Sequence, residues 1–201
     1  MITIRKESPA EYHYVENLVR DAFWDVYRPG CDEHFLTNRL RQHPAFLAEL
    51  SFVAELHGKI RGCVYFARAA IRRADGSTLE VATFGPLAVS PDFQRHGIGS
   101  ALLEYTLPMA RMAGFPAVVI YGNPAYYARF GFEPGEKYGV AAPDGEFCPA
   151  LLTLALEENR DLAGRFEEGE AYRIEREAVA AFDKSFPRRA KHVLPGQIFP
   201  A

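Results

Sequence analysis

"SPDFQRHGIGSALL", residues 90–103, places a polar loop and two glycines directly ahead of an apolar helical pattern. The strand-like "VATFGPLAV" runs into it. The first amides of a helix lack intrahelical acceptors and sit at the positive end of its dipole, so a phosphate placed there accepts several hydrogen bonds at once. Gly97 and Gly99 would remove the side chains that keep such a group away, and Gln94 and Arg95 would add donors. From the glycines alone, a turn that uses glycine merely for its geometry is the favoured reading. A Walker A loop is excluded, because Gly99 is followed by Ser100-Ala101 rather than Lys and a hydroxyl residue. A dinucleotide fingerprint is excluded too, since Leu102 stands where its third small residue belongs.

Outward from the loop the chain alternates short strands and helices. Residues 1–5 read as a strand, and Ser8-Pro9-Ala10-Glu11 as a capping box opening a helix with a stripe of Val15, Leu18, Val19, Ala22 and Phe23. Phe35, Leu36 and Leu40 predict a second, shorter helix ending before Pro44. From about Phe46, β-branched runs separated by His57-Gly58 and Asp75-Gly76 predict a three-stranded antiparallel meander. Gly85-Pro86 predicts a bulge or bend in its last strand, since proline donates no ladder hydrogen bond. A helix should follow Gly97 and end near Gly114, with Pro108 weakening it. "AVVIY", "PAYYARF" and "PALLTLAL" read as strand, short helix and last long strand. The fold class is therefore α/β, with a domain over residues 1–156. The extension at 157–201 reads as a charged linker or hairpin, an amphipathic helix and a tail packed by Val193, Leu194, Ile198 and Phe199. It is expected to pack on the domain or at a homodimer contact. The basic tail cluster Arg188, Arg189, Lys191 and His192 reads as a solvated surface.

Composition narrows the partners. The 201 residues are 48% hydrophobic and 24% charged, with a formal net charge of -3. That balance argues against general binding to nucleic acid or an anionic membrane. No signal peptide or membrane span is legible, and Cys31, Cys63 and Cys148 have no paired spacing, so reduced thiols and a cytoplasmic location are expected. Cys31 and His34 in "CDEH" lack further ligands at metal spacing, so no metal is expected. Cys63 reads as a buried structural thiol.

Gln94-Arg95-His96-Gly97-Ile98-Gly99 resembles the [RQ]-x-x-G-x-[GA] loop of the GNAT superfamily of acyl-CoA N-acyltransferases. "NPAYYARFGF" is similar to the same family's later motif, in which a tyrosine stands four residues before Gly-Phe, here Tyr127 before Gly131-Phe132. The resemblance covers roughly residues 1–156. It implies a mixed, mostly antiparallel central sheet flanked by helices, with acetyl-CoA as co-substrate held between splayed strands near 79–89 and 117–121. Leu87, Ala88 and Val89 would pair with the pantetheine arm. The residues Gln94 through Ser100 (His96 with its side chain to solvent), together with Asn123 and Tyr127, would complete the cofactor site. A primary amine acceptor would attack the thioester directly, an amide near Val89 would stabilise the oxyanion, and Tyr127 would protonate the leaving thiolate. Glu80, on the fourth strand, is the candidate base. Trp24, Asp25, Tyr27 and Glu33, with Asp32 beside them, would border the acceptor. A non-catalytic acyl-CoA-binding or sensing module, and an interaction protein using the loop structurally, stay open as alternatives.

Overall fold

A computed structural model of the chain describes residues 1–198. Strand β1 (Ile2–Arg5) leads through a short 3-10 turn into α1 (Tyr12–Phe23), followed by α2 (Glu33–Leu40). The Ser8 amide donates to the Glu11 carboxylate at 2.8 Å, so the capping signal marks the entry to α1 through that turn. The meander is β2 (Phe52–Leu56), β3 (Lys59–Arg72) and β4 (Thr78–Val89). His57 and Gly58 both adopt positive φ between β2 and β3, the geometry a two-residue hairpin requires.

Helix α3 (Ile98–Met112) runs through Pro108 without a break. The carbonyl that Pro108 cannot serve is that of Glu104, and both residues lie on the exposed face of the helix, open to solvent. Gly114, at φ 84°, ends the helix region as expected. Then come β5 (Ala117–Tyr121), α4 (Pro124–Tyr127), the two-residue strands β6 (Glu133–Pro134) and β7 (Val140–Ala141), and β8 (Leu151–Ala155).

The "PALLTLAL" strand is not the last. The charged segment after it contains β9 (Gly164–Glu167), which pairs with the far half of β3 through Ala70, Ile71 and Arg72 and with β7. A short helix, α5 (Arg176–Phe182), follows. The sheet order is β1-β2-β3-β4-β5-β8-β6, antiparallel throughout except for β4 against β5, with the further β7–β9 pairing also parallel. β3 thus serves β2 with its first half and β9 with its second.

Both faces of the sheet are covered. Phe66, Ala82, Phe84, Leu102, Leu103 and Ile120 form a core under α3. Val15, Val19, Leu40, Cys63, Tyr65 and Ala88 form another under α1 and α2. A third, with Ile71, Val81, Val119 and Phe166, lies beneath β9.

The tail differs from expectation. Val193, Leu194 and Ile198 are exposed, and Phe199 lies outside the described residues. The tail is held instead by polar contacts to the α1–α2 loop: Trp24 Nε1 donates to the Ala190 carbonyl at 2.8 Å, and His192 Nδ1 lies 2.8 Å from Asp25. Arg189 pairs with Asp21 at 2.9 Å, so the tail cluster is partly engaged rather than wholly solvated. Among the described residues no helix is long and apolar enough to cross a membrane.

Candidate functional site

The site begins at the Gly85-Pro86 interruption. Across it the β3–β4 register slips between Val64 and Phe66, so a bulge sits where the proline predicts one. On its other edge β4 meets β5 at a single pair, Ala82 with Val118. Beyond that pair the two strands part, and the backbone of residues 83–89 on that side is left without a strand partner.

The parting strands open onto a cavity of about 590 Å3. It brings together Leu87, Val89, Gln94, Arg95, Gly97, Ile98, Gly99, Ser100 and Tyr127 from the sequence expectation, and adds Tyr126 and Arg129. Gly97 caps α3 at φ 81°, and a β-carbon there would meet nothing within 4 Å, so the glycine is needed for its backbone angle and leaves open space before the helix. The first amide of α3 with a backbone acceptor is that of Ala101, bonded to the Gly97 carbonyl at 2.9 Å. The amides of Ile98, Gly99 and Ser100 find no acceptor among the described residues. Arg95 also takes a positive φ, 62°, which turns this loop around the cavity mouth. The donor set, the open cradle and two arginines fit a pyrophosphate.

Tyr126 and Tyr127 close the opposite wall. A β-carbon on Gly122 would run into the Tyr127 ring, so glycine there lets that ring fold over the end of β5. The ring packs against Phe84 and Phe132, with centroids 5.8 and 5.7 Å away. Burial, reinforced by Tyr126 and Tyr27, pushes the Tyr127 phenol well up, so it holds its proton at neutral pH. The Tyr126 phenol is also raised by burial, opposed by a hydrogen bond with Ser100. Arg129 spans this wall: its Nε donates to the Tyr126 carbonyl at 3.0 Å and its guanidinium lies 4.8 Å from that ring. An aromatic followed three residues later by arginine on a short helix was the signal for both.

Other expected residues lie elsewhere. Ala88 points its side chain into the α1–α2 core, away from the cavity. His96 folds back with Nδ1 2.8 Å from the Gln94 carbonyl and is not among the lining residues. Asn123 caps α4, accepting from the Ala125 amide at 3.0 Å. Glu80 is not brought to the cavity. It alternates with the buried Leu79 and Val81, faces solvent 3.5 Å from Arg68, and stands seven residues, roughly 20 Å of strand, from Leu87.

Trp24 and Asp25 are committed to the tail rather than to an open pocket. Trp24 is buried under Arg20, 4.2 Å from its ring. The Asp25 carboxylate accepts from the Gly30 and His192 amides at 2.7 and 3.1 Å. Tyr27 and Glu33 do not line the cavity. Tyr27 interacts electrostatically with Glu33 and also with Tyr127. Burial raises the Glu33 carboxyl, partly offset by hydrogen bonds from its own and the Asp32 amide. Asp32 itself pairs with Arg28 at 2.5 Å.

Comparison with known proteins agrees with this geometry. The acetyltransferase (GNAT) domain family matches residues 48–134. The chain is 30% identical over 130 residues to the uncharacterized N-acetyltransferase YhbS of Escherichia coli, covering 65% of this chain and 72% of that protein. It is 38% identical over 96 residues to the uncharacterized N-acetyltransferase YjhQ of the same organism, a match spanning 47% of this chain and only 52% of YjhQ. Among solved structures, YhbS in complex with CoA superposes with a TM-score of 0.73 at 27% identity, over 85% of this chain and 91% of that one. A GNAT family acetyltransferase from Brucella melitensis in complex with acetyl-CoA gives 0.68 at 27% identity, over 86% and 99%. A mostly antiparallel sheet that parts beside a glycine loop, and a homologue matched over most of its length, lead to one conclusion: the chain belongs to the GNAT family of acetyltransferases.

Proposed function

We propose that the chain transfers an acetyl group from acetyl-CoA to a primary amine by direct attack, without an acyl-enzyme intermediate. The observation that carries this reading is the opening of β4 from β5 beyond Ala82 and Val118, directly onto the unpaired amides at the start of α3. Bound acetyl-CoA supplies the activated thioester. The amides of Ile98, Gly99 and Ser100, with Arg95 and Arg129, hold its pyrophosphate, and Leu87 and Val89 flank its arm.

The β4 amides facing away from β3 receive the oxygen on which charge develops as nitrogen attacks the carbonyl carbon. Tyr127 donates its phenolic proton to the sulfur as the C–S bond breaks. Its raised pKa keeps that proton available at neutral pH, and a thiolate of pKa about 8.5 needs only modest assistance to leave. Cys31 and Cys63 are free, buried and held as thiols by burial, so neither supplies a nucleophile. The free thiols also support a cytoplasmic setting.

Release of CoA thiol from acetyl-CoA, followed across primary amines, amino acids and peptides, tests the reading. Amine-dependent release supports it. Saturable acetyl-CoA binding with no release by any amine would replace it with a binding module.

A further inference from the structure

Resting on the acetyl-transfer reading, we propose that Glu168, from the segment after β9, receives the ammonium of a cationic acceptor and takes its first proton. The acceptor then enters on the β9 face of the sheet, opposite α3.

The placement follows from the chain's return to the sheet. β9 pairs with β3 as far as Ala70 with Glu167. Gly169, at φ 86°, turns the chain immediately afterwards, and Tyr172 lands on the β4 bulge. Its hydroxyl donates to the Gly85 carbonyl at 3.3 Å, and its ring lies 3.6 Å from where a Gly85 β-carbon would stand. On the other side of the opening, the Tyr121 ring at the end of β5 packs 6.0 Å from Phe166 of β9. Glu168 interacts electrostatically with both Tyr121 and Tyr172. The segment from Phe166 to Tyr172 thus runs from the end of β5 to the β4 bulge, where the two strands have parted, and it carries Glu168 between those two contacts. Arg39 of α2 fixes this segment by donating to the carbonyls of Glu170 and Arg173, at 3.1 and 2.5 Å.

Glu168 makes no hydrogen bond or ion pair with the other described residues. This sets it apart from Glu167, whose carboxylate is taken by Arg72 at 2.9 Å. The titratable groups facing Glu168 are the two phenols, both pushed up by burial and so uncharged at neutral pH. Burial raises the Glu168 carboxyl to about 7. A carboxylate that is half-buried, unpaired and ringed by aromatic side chains suits a cation. The same surroundings disfavour an acceptor with a carboxylate beside its amine.

The protons balance. The ammonium passes one proton to Glu168, which returns it to solvent, and the neutral amine attacks the carbonyl carbon. As the adduct collapses, nitrogen loses a second proton to solvent while sulfur gains one from Tyr127, which is reprotonated from solvent. One proton is released per turnover.

Calorimetric titration of 1,4-diaminobutane and of tyramine into CoA-saturated protein tests the assignment, alongside thiol release with acetyl-CoA. Both amines should bind at least tenfold more tightly than glutamate. Glu168→Gln should weaken that binding at least tenfold and lower kcat/KM by about a hundredfold, with acetyl-CoA affinity unchanged. Equal amine binding and turnover in the variant, a preference for glutamate, or no binding of either amine would overturn the role of Glu168. Loss of acetyl-CoA binding in the unmodified protein would instead overturn the transfer reading on which it rests.

Discussion

The Tyr126 hydroxyl occupies the space that a side chain at residue 99 would need: a β-carbon on Gly99 would lie 2.7 Å from Tyr126 Oη. The first turn of α3 and the tyrosine wall thus meet through a residue with no side chain. Gly99→Val should displace Tyr126 into the cavity and fill the amide cradle. Acetyl-CoA affinity should fall at least tenfold by calorimetry, while the circular dichroism spectrum keeps its native form. Unchanged affinity would remove the loop from the pyrophosphate site.

Tyr127→Phe removes a hydroxyl and keeps the ring contacts with Phe84 and Phe132. Turnover should slow by about tenfold to a hundredfold, with acetyl-CoA affinity within twofold of the unmodified protein. A fully active variant would assign the thiolate's proton to water.

Arg41 holds together the packing of α2 against the sheet. Its guanidinium lies 2.5 Å from Glu16, 2.8 Å from Glu7 and 2.9 Å from the Tyr65 hydroxyl, nearly all out of water. Removing one member of such a network leaves buried charge without a partner. Arg41→Ala should cost about 3–5 kcal/mol in urea unfolding. A loss below about 1 kcal/mol would show that water replaces the missing group.

His34 is fully buried, 3.4 Å from Cys31 Sγ and 3.4 Å from Asp183. Burial outweighs the attraction of Asp183 and pushes its pKa down from 6.5 to about 4. The unfolded chain therefore binds the proton more readily than the folded one. Stability should be fully present above pH 6.5 and fall as pH drops from about 6.5 to 4, by about 3 kcal/mol from this group. Urea midpoints across that interval, compared with those of His34→Gln, check the slope. An equally steep variant would place the effect elsewhere.

The glycine loop was legible because its determinants are local: Gly97 and Gly99 act on their own backbone and on the helix they begin. Gly85-Pro86 was legible for the same reason, since a missing donor disrupts a ladder wherever it falls. The acceptor side was not. Trp24 and Asp25 have the composition of an amine pocket, yet their partners Ala190 and His192 lie 166 and 167 residues away. Glu80 shares a strand with the site, but the period of two places it on the solvent face near the hairpin end. Glu168 sits in a charge-rich stretch that reads as a linker, and only the pairing of β9 with β3 returns it to the sheet.

Calorimetric titration of the purified protein with acetyl-CoA probes the cofactor site itself, because the parting of β4 from β5 and the bare start of α3 both predict one site for it. Saturable binding at one equivalent, competed by CoA, is expected. No heat of binding up to millimolar acetyl-CoA would contradict it and leave the glycines of "QRHGIG" serving the turn alone.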